Sequence, residues 1–394
     1  MIDTIKTLAR EYFEEVKQIR QHLHQNPELS MQEIETANYI AARLKEYGIP
    51  HQTGVAKTGI VAIIEGGKTG NKVIALRADM DALPIEEKND VPYKSVYPGV
   101  MHACGHDVHM ACLLGAAKIL QNTRQYWGGK VKLIFQPSEE SYPGGASLMI
   151  AEGVLKNPSP AAIFGQHVAP QIDAGKVGIR SGLYMASTDE VYLTITGKGG
   201  HAAMPHLTID PIVIASHIVV ALQQIVSRNN TPWIPTVLSF GRIEGPGRMN
   251  VIPDTVTLDG TIRTFDEKWR AEAHERIREI ARGMAESMGG KCVVEIKKGY
   301  PFLKNNEPLS ADFKKSAIQY LGEENVVDLD LSMTAEDFAF YSQQIPACFY
   351  RLGTRNEKAG ITSNVHAPTF NISEDALETG AGLMAWIAVC NLAR

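Results

Sequence analysis

Short apolar strands that each run into a polar cluster dominate the first half of the chain. The strands KVIAL, KVKLIF and AAIFG are followed by RADMDALP, QPSEES and QHVAP, and helical segments such as HMACLLGAAKILQ lie between strands. Short apolar strands that alternate with helices are typical of a largely parallel sheet covered by helices. Ligands gather at the carboxyl ends of the strands in such sheets, which is where these polar clusters lie.

The pattern changes near residue 189, where alternating strands replace the continuous apolar ones. The order is strand, helix, strand, strand, helix, strand: EVYLTIT, a helix from PIVIASHIVVAL to Arg228, TVLSFGRIE, TVTLDGTIRTF, DEKWRAEAHERIREIARGMAESMG and KCVVEIK. Asp210 as N-cap and Pro211 in the first turn mark the start of the first of these helices. This order is that of the ferredoxin-like unit. We therefore predict a small domain at 186–297, inserted into a larger domain made of 1–185 and 298–394.

Length and charge indicate how many domains the chain has and which partners are excluded. The chain has 394 residues, more than one hydrophobic core usually organises, so two domains are expected. Lys and Arg total 39 against 44 for Asp and Glu, a net charge of -5, and no basic run stands out. This balance predicts that the chain is not a nucleic-acid binder.

Three features of the sequence indicate where in the cell the protein is located. The N-terminal twenty residues mix acids, bases and apolar residues at helical spacing, which indicates an amphipathic helix and not a signal peptide. The longest apolar stretch, PIVIASHIVVAL, falls short of the roughly 20 residues that span a bilayer, so we predict no membrane segment. Five cysteines leave at least one free thiol, which favours a reducing cytoplasm.

The stretch HACGHDVH at 102–109 is the first candidate for chemistry. Cys104 and His106 stand two apart just before a helix, and both side chains are good zinc ligands. Taken alone, such a pair is more often accidental than coordinating. A cysteine nucleophile with His106 as its base is an alternative, but residues two apart rarely point at each other in a useful geometry.

Three further clusters follow the predicted strands. Glu139 and Glu140 are adjacent, and two neighbouring carboxylates repel unless a cation or a proton transfer uses them. A solvated helix N-terminus is the alternative for this pair. His167 follows an apolar strand, and His366 lies in the loop AGITSNVHAPTF; a single loop histidine is usually a surface residue. Four clusters that a parallel sheet would bring together favour one metal site.

Six motifs, taken together and in order, closely resemble the aminoacylase and carboxypeptidase superfamily of metallopeptidases: RADMDALP, HACGHDVHMA, QPSEES, GQHV, GKGGHAAMPH and MTAEDFA. They are most similar to its amidohydrolase branch, which includes bacterial aminoacylases, hippurate hydrolases and auxin amino-acid conjugate hydrolases. The similarity runs from RQHLHQNPELS to the last helix and so covers nearly the whole chain. It implies an α/β fold: a zinc-peptidase-like catalytic domain with a mixed, largely parallel sheet covered by helices, plus an inserted ferredoxin-like α+β lid domain.

The resemblance also implies a role for individual residues. It assigns one or two divalent metal ions, Zn2+ or Mn2+ with Ni2+ or Co2+ as alternatives, to five ligands: Cys104, His106, Glu140, His167 and His366. Glu139 is implied as the general base and Asp79 as an acid that orients the metal site. His201, in the lid, is implied as the oxyanion donor, which the partner subunit supplies in dimeric relatives. Asn250 and Arg263 are implied to grip a substrate carboxylate, which a guanidinium can bind through two hydrogen bonds.

The sequence departs from the pattern of other branches at two positions that bear on the identity of the metal. Other branches of the superfamily place a histidine where this chain has Arg77, and an aspartate at or near the position of Cys104. The identity of the metal and the occupancy of a second metal position therefore stay undecided at this point.

The implied activity is metal-dependent hydrolysis of the amide bond of N-acyl amino acids, with a metal-activated water and a glutamate base. The substrates expected are small N-acyl amino acids or short peptides, and the expected assembly is a homodimer or a higher homo-oligomer. A metallo-carboxypeptidase or dipeptidase of the same superfamily is one alternative. A non-catalytic binding scaffold is another, and it predicts the loss of a ligand or of the base, whereas all are present.

Overall fold

The computed structural model describes residues 1–393. Its helices, in chain order, are α1 (Ile2–Glu11), α2 (Phe13–Gln25), α3 (Ile34–Glu46), α4 (His106–Asn122), α5 (Gly145–Ala151), α6 (Pro211–Gln224), α7 (Glu267–Ser287), α8 (Glu307–Leu321), α9 (Ala339–Ser342) and α10 (Ala376–Leu392). Its strands are β1 (His51–Val55), β2 (Gly59–Glu65), β3 (Lys68–Asp79), β4 (Gly128–Gln136), β5 (Ala162–Asp173), β6 (Val177–Ile179), β7 (Gly182–Met185), β8 (Asp189–Thr196), β9 (Gly200–His201), β10 (Thr236–Glu244), β11 (Val251–Ile252), β12 (Thr255–Thr264), β13 (Lys291–Lys298), β14 (Leu303–Asn305), β15 (Val326–Asp328) and β16 (Ala347–Arg355).

The chain divides into two compact units. The first contains Met1–Tyr184, Lys304–Leu331 and Asp337–Arg394, and the second contains Met185–Leu303 and Ser332–Glu336. The second unit therefore takes in 298–303 and 332–336, which lie outside the 186–297 expected for an inserted domain. The use of this domain as a lid stays a prediction.

The first unit is built on an eight-stranded sheet in the order β1-β2-β4-β3-β5-β16-β6-β15. Its central strands β4, β3, β5 and β16 are parallel, whereas the β1–β2, β2–β4 and β16–β6 pairs are antiparallel. The predicted mixed, largely parallel sheet is thus confirmed. Helices α4 and α10 pack on each other and on β3. Because the central strands are parallel, the segments that follow β3 and β4 emerge at the same edge of the sheet.

Strand β5 is longer than its apolar residues suggest. The apolar residues alone end this strand before His167, but the strand continues to Asp173. Its partner β16 explains the extension, because the pairing runs from Ala347 with Ile163 through Arg351 with His167. His167 is therefore a strand residue, held in place by backbone hydrogen bonds rather than by a loop.

The second unit holds a four-stranded antiparallel sheet in the order β10-β12-β8-β13, over which α6 and α7 pack. Its strands and helices follow the predicted strand, helix, strand, strand, helix, strand order. Asp210 is the N-cap of α6, as expected, since its carboxylate accepts from the N–H groups of Ile212 (2.8 Å) and Val213 (3.3 Å).

The helix that begins at Pro211 is apolar along most of its length. Residues Pro211–Asn229, which include a π-helical end from Ile225, are long and apolar enough to cross a bilayer by length and composition. The core helix of a water-soluble domain passes the same test. One side of this helix is buried in the core of the second unit, through Ile214, Ile218 and Leu222.

A buried ion cluster lies within the second unit. Asp189, at the start of β8, accepts hydrogen bonds from Arg270 (2.8 Å) and His274 (2.6 Å) on α7. Burial alone would raise the pKa of Asp189, but the hydrogen bonds from Arg270 and His274 lower it to about 2. The cluster therefore ties the sheet to α7 as long as Asp189 is ionised.

We expect acid to weaken the second unit through Asp189. Its pKa falls from an ordinary 3.8 to about 2 on folding, so its ionised form contributes about 2 kcal/mol of stability. Because the folded pKa is the lower one, this contribution is fully present above the unfolded pKa and is lost as the pH falls towards 2. Asp189→Asn should therefore lower the unfolding temperature strongly at pH 7 and much less at pH 2.

Asp259→Asn is the matched control for this experiment. Asp259 lies on β12 of the same sheet, and its 3.2 Å ion pair with Arg242 is largely exposed to solvent. Exposed pairs contribute little, so this variant should change the unfolding temperature slightly at either pH. An Asp189→Asn effect that is equally large at pH 2 and pH 7 would contradict the role assigned to Asp189.

Candidate functional site

The loop before α4 carries two of the predicted ligands. His106 is the first residue of α4, and Gly105 is the N-cap, in the left-handed region with φ 86°. A Cβ at residue 105 would lie 2.6 Å from a methyl group of Val168, so this position requires glycine. Cys104 and His106 are both buried, at 7% and 0% exposure. The tight turn therefore places both side chains at the sheet edge, next to strand β5.

The neighbours of His106 and His167 select the same tautomer for both rings. His106 Nδ1 lies 2.7 Å from the carbonyl oxygen of Asp81, and His167 Nδ1 lies 2.8 Å from that of Val168. A carbonyl only accepts, so each Nδ1 carries its proton and leaves Nε2 as a free lone pair. His167 Nε2 lies 3.4 Å from Cys104 Sγ, and His106 Nε2 is buried with no hydrogen-bond partner among residues 1–393.

Glu139 and Glu140 follow β4 after a short turn. Ser138 adopts a left-handed backbone with φ 51°, and the two glutamates after it make different contacts. Glu140 Oε1 lies 3.2 Å from His366 Nε2, whereas Glu139 Oε1 accepts from the backbone N–H of Asp337 at 3.3 Å. The adjacent carboxylates are therefore used separately, and the solvated helix terminus considered above does not describe Glu139, which is 7% exposed.

His366 reaches the other ligands from the last long loop. Its backbone is left-handed, with φ 63°, and its N–H donates to the carbonyl oxygen of Ala103 at 2.7 Å. This bond ties the loop to the segment that carries Cys104. Hydrogen bonds with Cys104 and Glu140 raise the pKa of His366 to about 10. The surroundings of this imidazole therefore favour positive charge.

The five predicted ligands fall into overlapping groups. Within each group the ligand atoms lie within 4.8 Å of one another: Cys104, His106 and His167; Cys104, Glu140 and His366; His106, Glu139 and Glu140. Sulfur, imidazole nitrogen and carboxylate oxygen together suit zinc and other borderline divalent ions. The unpartnered Nε2 of His106 also fits a bound cation, because a buried lone pair without a partner is costly. The arrangement fits a divalent metal, and the assignment of each ligand stays a prediction.

Asp79, the predicted orienting acid, lies behind the ligands at the end of β3. Its Oδ1 contacts His109 Nδ1 at 2.5 Å, its Oδ2 accepts from Arg77 at 2.6 Å, and Oδ2 lies 3.7 Å from His106 Nε2. Burial opposes ionisation, but the Arg77 guanidinium and the hydrogen bond from His109 hold the pKa of Asp79 well below its usual range. His109 Nε2 in turn accepts from the N–H of Val168 at 2.9 Å, so its two ring nitrogens join Asp79 to the backbone beside His167.

Arg77 fills the position at which other branches of the superfamily carry a histidine. Its guanidinium is fully buried and donates to Asp79, to Gln136 Oε1 (2.9 Å) and to Asp337 Oδ1 (2.8 Å). No role was expected for Asp337 from the sequence. The motif MTAEDFA contains Asp337, so the signal was present, but nothing in the sequence connects it to Arg77.

Three predicted residues belong to the second unit. His201 pairs with Val251 in the ribbon formed by β9 and β11, and the N–H of Ala202 donates to the carbonyl oxygen of Asn250 at 3.1 Å. This ribbon places His201 and Asn250 side by side, and both are exposed. Arg263 lies on β12, half-buried, and donates to Thr261 Oγ1 at 3.2 Å. Their roles towards a substrate stay predictions.

Most of the chain matches one family of known proteins. The sequence profile of Peptidase family M20/M25/M40 matches residues 75–388. The chain belongs to this family. The M20 chain is 43% identical over 359 residues to N-acetyl-L-cysteine deacetylase of Bacillus subtilis (strain 168), which covers 91% of this chain and 84% of that protein. It is 41% identical over 388 residues to IAA-amino acid hydrolase ILR1-like 4 of Arabidopsis thaliana, covering 97% and 87%.

Solved structures agree with these matches. The crystal structure of Bacillus subtilis YxeP, described as a dinuclear metal binding peptidase from the M20 family, is similar with a TM-score of 0.84. The two chains are 35% identical, and the match covers 98% of this chain and 99% of that one. The resemblance to the amidohydrolase branch is confirmed, and the M20 chain is a hydrolase.

We expect a divalent metal to stabilise the first unit, and His167→Ala to reduce that effect. A metal at 100 times its dissociation constant contributes about 2.7 kcal/mol, which is a shift of roughly 5–10 °C for a unit of this size. The measurement is the unfolding temperature of chelator-treated protein before and after Zn2+ or Mn2+ is added. Without the His167 imidazole the shift should be much smaller.

His217→Ala is the control for metal binding through other histidines. His217 is exposed on α6 in the second unit, and its replacement should leave the metal-induced shift unchanged. A full shift in His167→Ala would remove His167 from the ligand set.

Proposed function

We propose that this M20 hydrolase cleaves the amide bond of N-acyl amino acids, with Glu139 as the general base at a divalent metal site. One observation carries the proposal: Glu139 stands within 4.8 Å of ligand atoms of His106 and Glu140, buried and outside the Glu140–His366 contact. A carboxylate that lies beside a metal site without being needed as a ligand is suited to proton transfer.

The metal would be held by Cys104, His106, Glu140, His167 and His366. When bound there, a divalent ion supplies a water of lowered pKa and polarises the amide carbonyl. We propose Zn2+ or Mn2+, in one or two sites. The buried thiol favours a soft ion such as Zn2+, whereas the two glutamates are also compatible with Mn2+.

Glu139 is proposed to transfer one proton in two steps. Its carboxylate takes a proton from the attacking water as the water oxygen bonds to the amide carbon, and it later gives that proton to the amine nitrogen as the C–N bond breaks. The products are a free amino acid and a carboxylic acid, which then releases the second proton of the water to the amine or to solvent and becomes a carboxylate. The hydrogen bond from the N–H of Asp337 to Glu139 Oε1 orients the carboxylate. Since this N–H is a backbone donor, the orientation does not depend on a flexible side chain.

His201 is proposed as the donor to the carbonyl oxygen as negative charge develops on it. Its Nδ1 accepts from the N–H of Ala203 at 3.1 Å, so the neutral ring carries its proton on Nε2 and presents a donor to the solvent side. A donor aimed at a developing oxyanion is among the largest single contributions to acyl-transfer catalysis.

Arg263 and Asn250 are proposed to bind the free carboxylate of the amino acid. The Arg263 guanidinium is half-buried and, within residues 1–393, donates to Thr261 Oγ1 through Nε, which leaves its two terminal NH2 groups for a carboxylate. Asn250 is exposed beside His201 and offers an amide donor. Together they would select substrates with a free carboxyl group.

A carboxypeptidase or dipeptidase activity is the second candidate. It is supported by the family, which is one of peptidases, and by the description of YxeP as a peptidase. A short peptide is itself an N-acyl amino acid, so the same residues would act on both. A panel of N-acetyl, N-benzoyl and indole-acyl amino acids beside dipeptides, assayed with several cations, separates the two candidates.

We also propose a cytoplasmic location and a homodimeric assembly. The five cysteines are all free thiols, which suits a reducing compartment. Exposed apolar residues on α6, including Ile212, Val213 and Val220, support an oligomer.

Glu139→Gln should keep the metal and lose turnover. The amide is nearly isosteric with the carboxylate but cannot take a proton, so kcat should fall by roughly 100- to 10,000-fold. The measurement is kcat on an N-acetyl amino acid together with metal content by elemental analysis. Glu152→Gln is the matched control: this exposed glutamate follows α5, the glutamine can still accept from the N–H of Ala56, and full turnover should remain.

Near-normal turnover in Glu139→Gln would remove Glu139 from the role of base. Hydrolysis that survives complete removal of the metal would defeat the metallohydrolase proposal as a whole.

Arg263→Ala should raise KM for substrates that have a free carboxylate by roughly 10- to 100-fold, because a charge-assisted hydrogen bond to that group is lost. The same variant should change little on substrates whose carboxyl group is capped as an amide. Arg242→Ala, an exposed arginine on β10 of the same sheet, is the control for a general loss of positive charge. An equal effect of Arg263→Ala on both kinds of substrate would count against carboxylate recognition.

A further inference from the structure

Glu33 carries a buried carboxyl group that no role assigned so far uses. It is the N-cap residue of α3 and is 0% exposed, yet its side chain makes no capping hydrogen bond to that helix. The carboxylate of Glu28 accepts instead from the N–H groups of Glu35 (3.2 Å) and Thr36 (2.8 Å) in the first turn. The burial of Glu33 is therefore explained by contacts outside its own helix.

The carboxyl group of Glu33 joins two segments that are distant in the chain. Its Oε1 accepts from the backbone N–H of Ser138 at 2.8 Å, and its Oε2 accepts from the hydroxyl of Thr58 at 2.7 Å. Ser138 and Thr58 are themselves buried, at 1% and 5% exposure. A buried carboxyl group is costly unless its oxygens are hydrogen-bonded, and these two contacts meet that requirement.

Thr58 lies in the turn between β1 and β2, which packs beside the segment before the glutamate pair. A Cβ at residue 59 would lie 3.0 Å from Cδ of Pro137, so little space separates this turn from Pro137. Glu33 therefore bridges, through Thr58 and Ser138, two turns that already pack on each other.

Ser138 has a backbone conformation that depends on such support. Its φ of 51° lies in the left-handed region, which is unfavourable for a residue with a side chain. Such conformations persist where surrounding contacts fix them. The carbonyl oxygen of Ser138 accepts from the N–H of Gly145 at 2.8 Å, and its hydroxyl donates to the carbonyl oxygen of Ser141 at 3.3 Å. Both partners belong to the turn itself, whereas Glu33 holds the remaining N–H from outside it.

We propose that Glu33 is a positioning residue for the general base: it fixes the left-handed turn at Ser138 and thereby the direction in which Glu139 leaves the backbone. The inference rests on the proposed function of Glu139. In this proposal Glu33 touches neither the substrate nor the metal, and it acts through the backbone of the residue before the base. A misplacement of about 1 Å can cost roughly 100-fold in rate, so a small rotation at Ser138 is enough to matter.

Glu33→Asp and Glu33→Gln separate the reach of this side chain from its charge. Aspartate keeps the carboxylate but is one methylene shorter, so it cannot meet Ser138 and Thr58 together. Glutamine keeps the length: its oxygen can accept from the Ser138 N–H while its NH2 group donates to the Thr58 hydroxyl, which is also an acceptor. Burial raises the pKa of Glu33, so the loss of its negative charge should be tolerated.

We expect kcat on an N-acetyl amino acid to fall roughly 10- to 100-fold in Glu33→Asp, with KM nearly unchanged, and to stay within about threefold of the wild type in Glu33→Gln. The second measurement is amide hydrogen exchange, by mass spectrometry, of the peptide that contains Ser138 and Glu139. This peptide should exchange faster than the wild type in Glu33→Asp and at the wild-type rate in Glu33→Gln. Circular dichroism establishes that each variant is folded.

Glu35→Asp is the matched control, because Glu35 is exposed two residues further along α3. It should leave both kcat and the exchange of the Ser138 peptide unchanged. Wild-type kcat in folded Glu33→Asp, or a loss in Glu33→Gln as large as that in Glu33→Asp, would overturn the proposal.

Thr58→Val decides if Glu33→Asp does not fold. Valine is nearly isosteric with threonine and removes the donor to Glu33 Oε2, so Glu33 should hold Ser138 less firmly. We expect kcat to fall by roughly 2- to 10-fold and the Ser138 peptide to exchange faster. Wild-type values for both measurements would overturn the proposal.

The exchange measurement is independent of the proposed substrate. If the wild type hydrolyses no N-acyl amino acid, the proposed function fails, and the exchange of the Ser138 peptide still decides whether Glu33 fixes the turn. If the wild type hydrolyses these substrates and Glu33→Asp changes neither kcat nor exchange, the role of Glu33 fails and the proposed function stands.

Discussion

The burial of several carboxylates at one edge of the parallel sheet is the constraint on which the first unit depends. Asp79, Asp81, Glu139 and Asp337 are each less than 10% exposed. Removing a charged carboxylate from water costs several kcal/mol unless hydrogen bonds or opposite charges replace the water. Each of these groups has such partners, and the partners also fix where the proposed ligands point.

Two kinds of group compensate the buried carboxylates: the Arg77 guanidinium and backbone N–H groups. Arg77 neutralises the rear of the cluster, where it donates to both Asp79 and Asp337. Backbone N–H groups hold the front, where Asp81 accepts from the glutamate pair and Glu139 accepts from Asp337. Backbone donors lose little entropy on ordering, so they position a base and its ligands more rigidly than long side chains would. Cys104 links two groups of closely spaced ligand atoms, one with His106 and His167 and the other with Glu140 and His366.

Arg77 gives this chain a distinct electrostatic balance. A guanidinium is permanently charged, whereas a histidine at the same position would be a neutral ligand. With Arg77 in place, Asp79 is already paired with a cation, and His109 completes its contacts. The anionic group left to attract a metal is therefore chiefly Glu140, with Glu139 beside it. Burial raises the pKa of the Cys104 thiol, which would lose its proton on binding a metal.

The sequence by itself determined the fold class, the order of the main strands and helices in the second unit, and the candidate metal ligands. The alternation of apolar strands with helices, the N-cap at Asp210 and the polar clusters after β3 and β4 are local features, readable without knowledge of the fold. The tertiary structure alone decided that β5 continues through His167, because β16 supplies its hydrogen bonds. It alone showed that Asp81 accepts from the backbone of the glutamate pair and that His109 joins Asp79 to Val168, contacts that span up to 59 positions. Such contacts leave no periodic trace in the chain: they arise where separate strands end at a common edge.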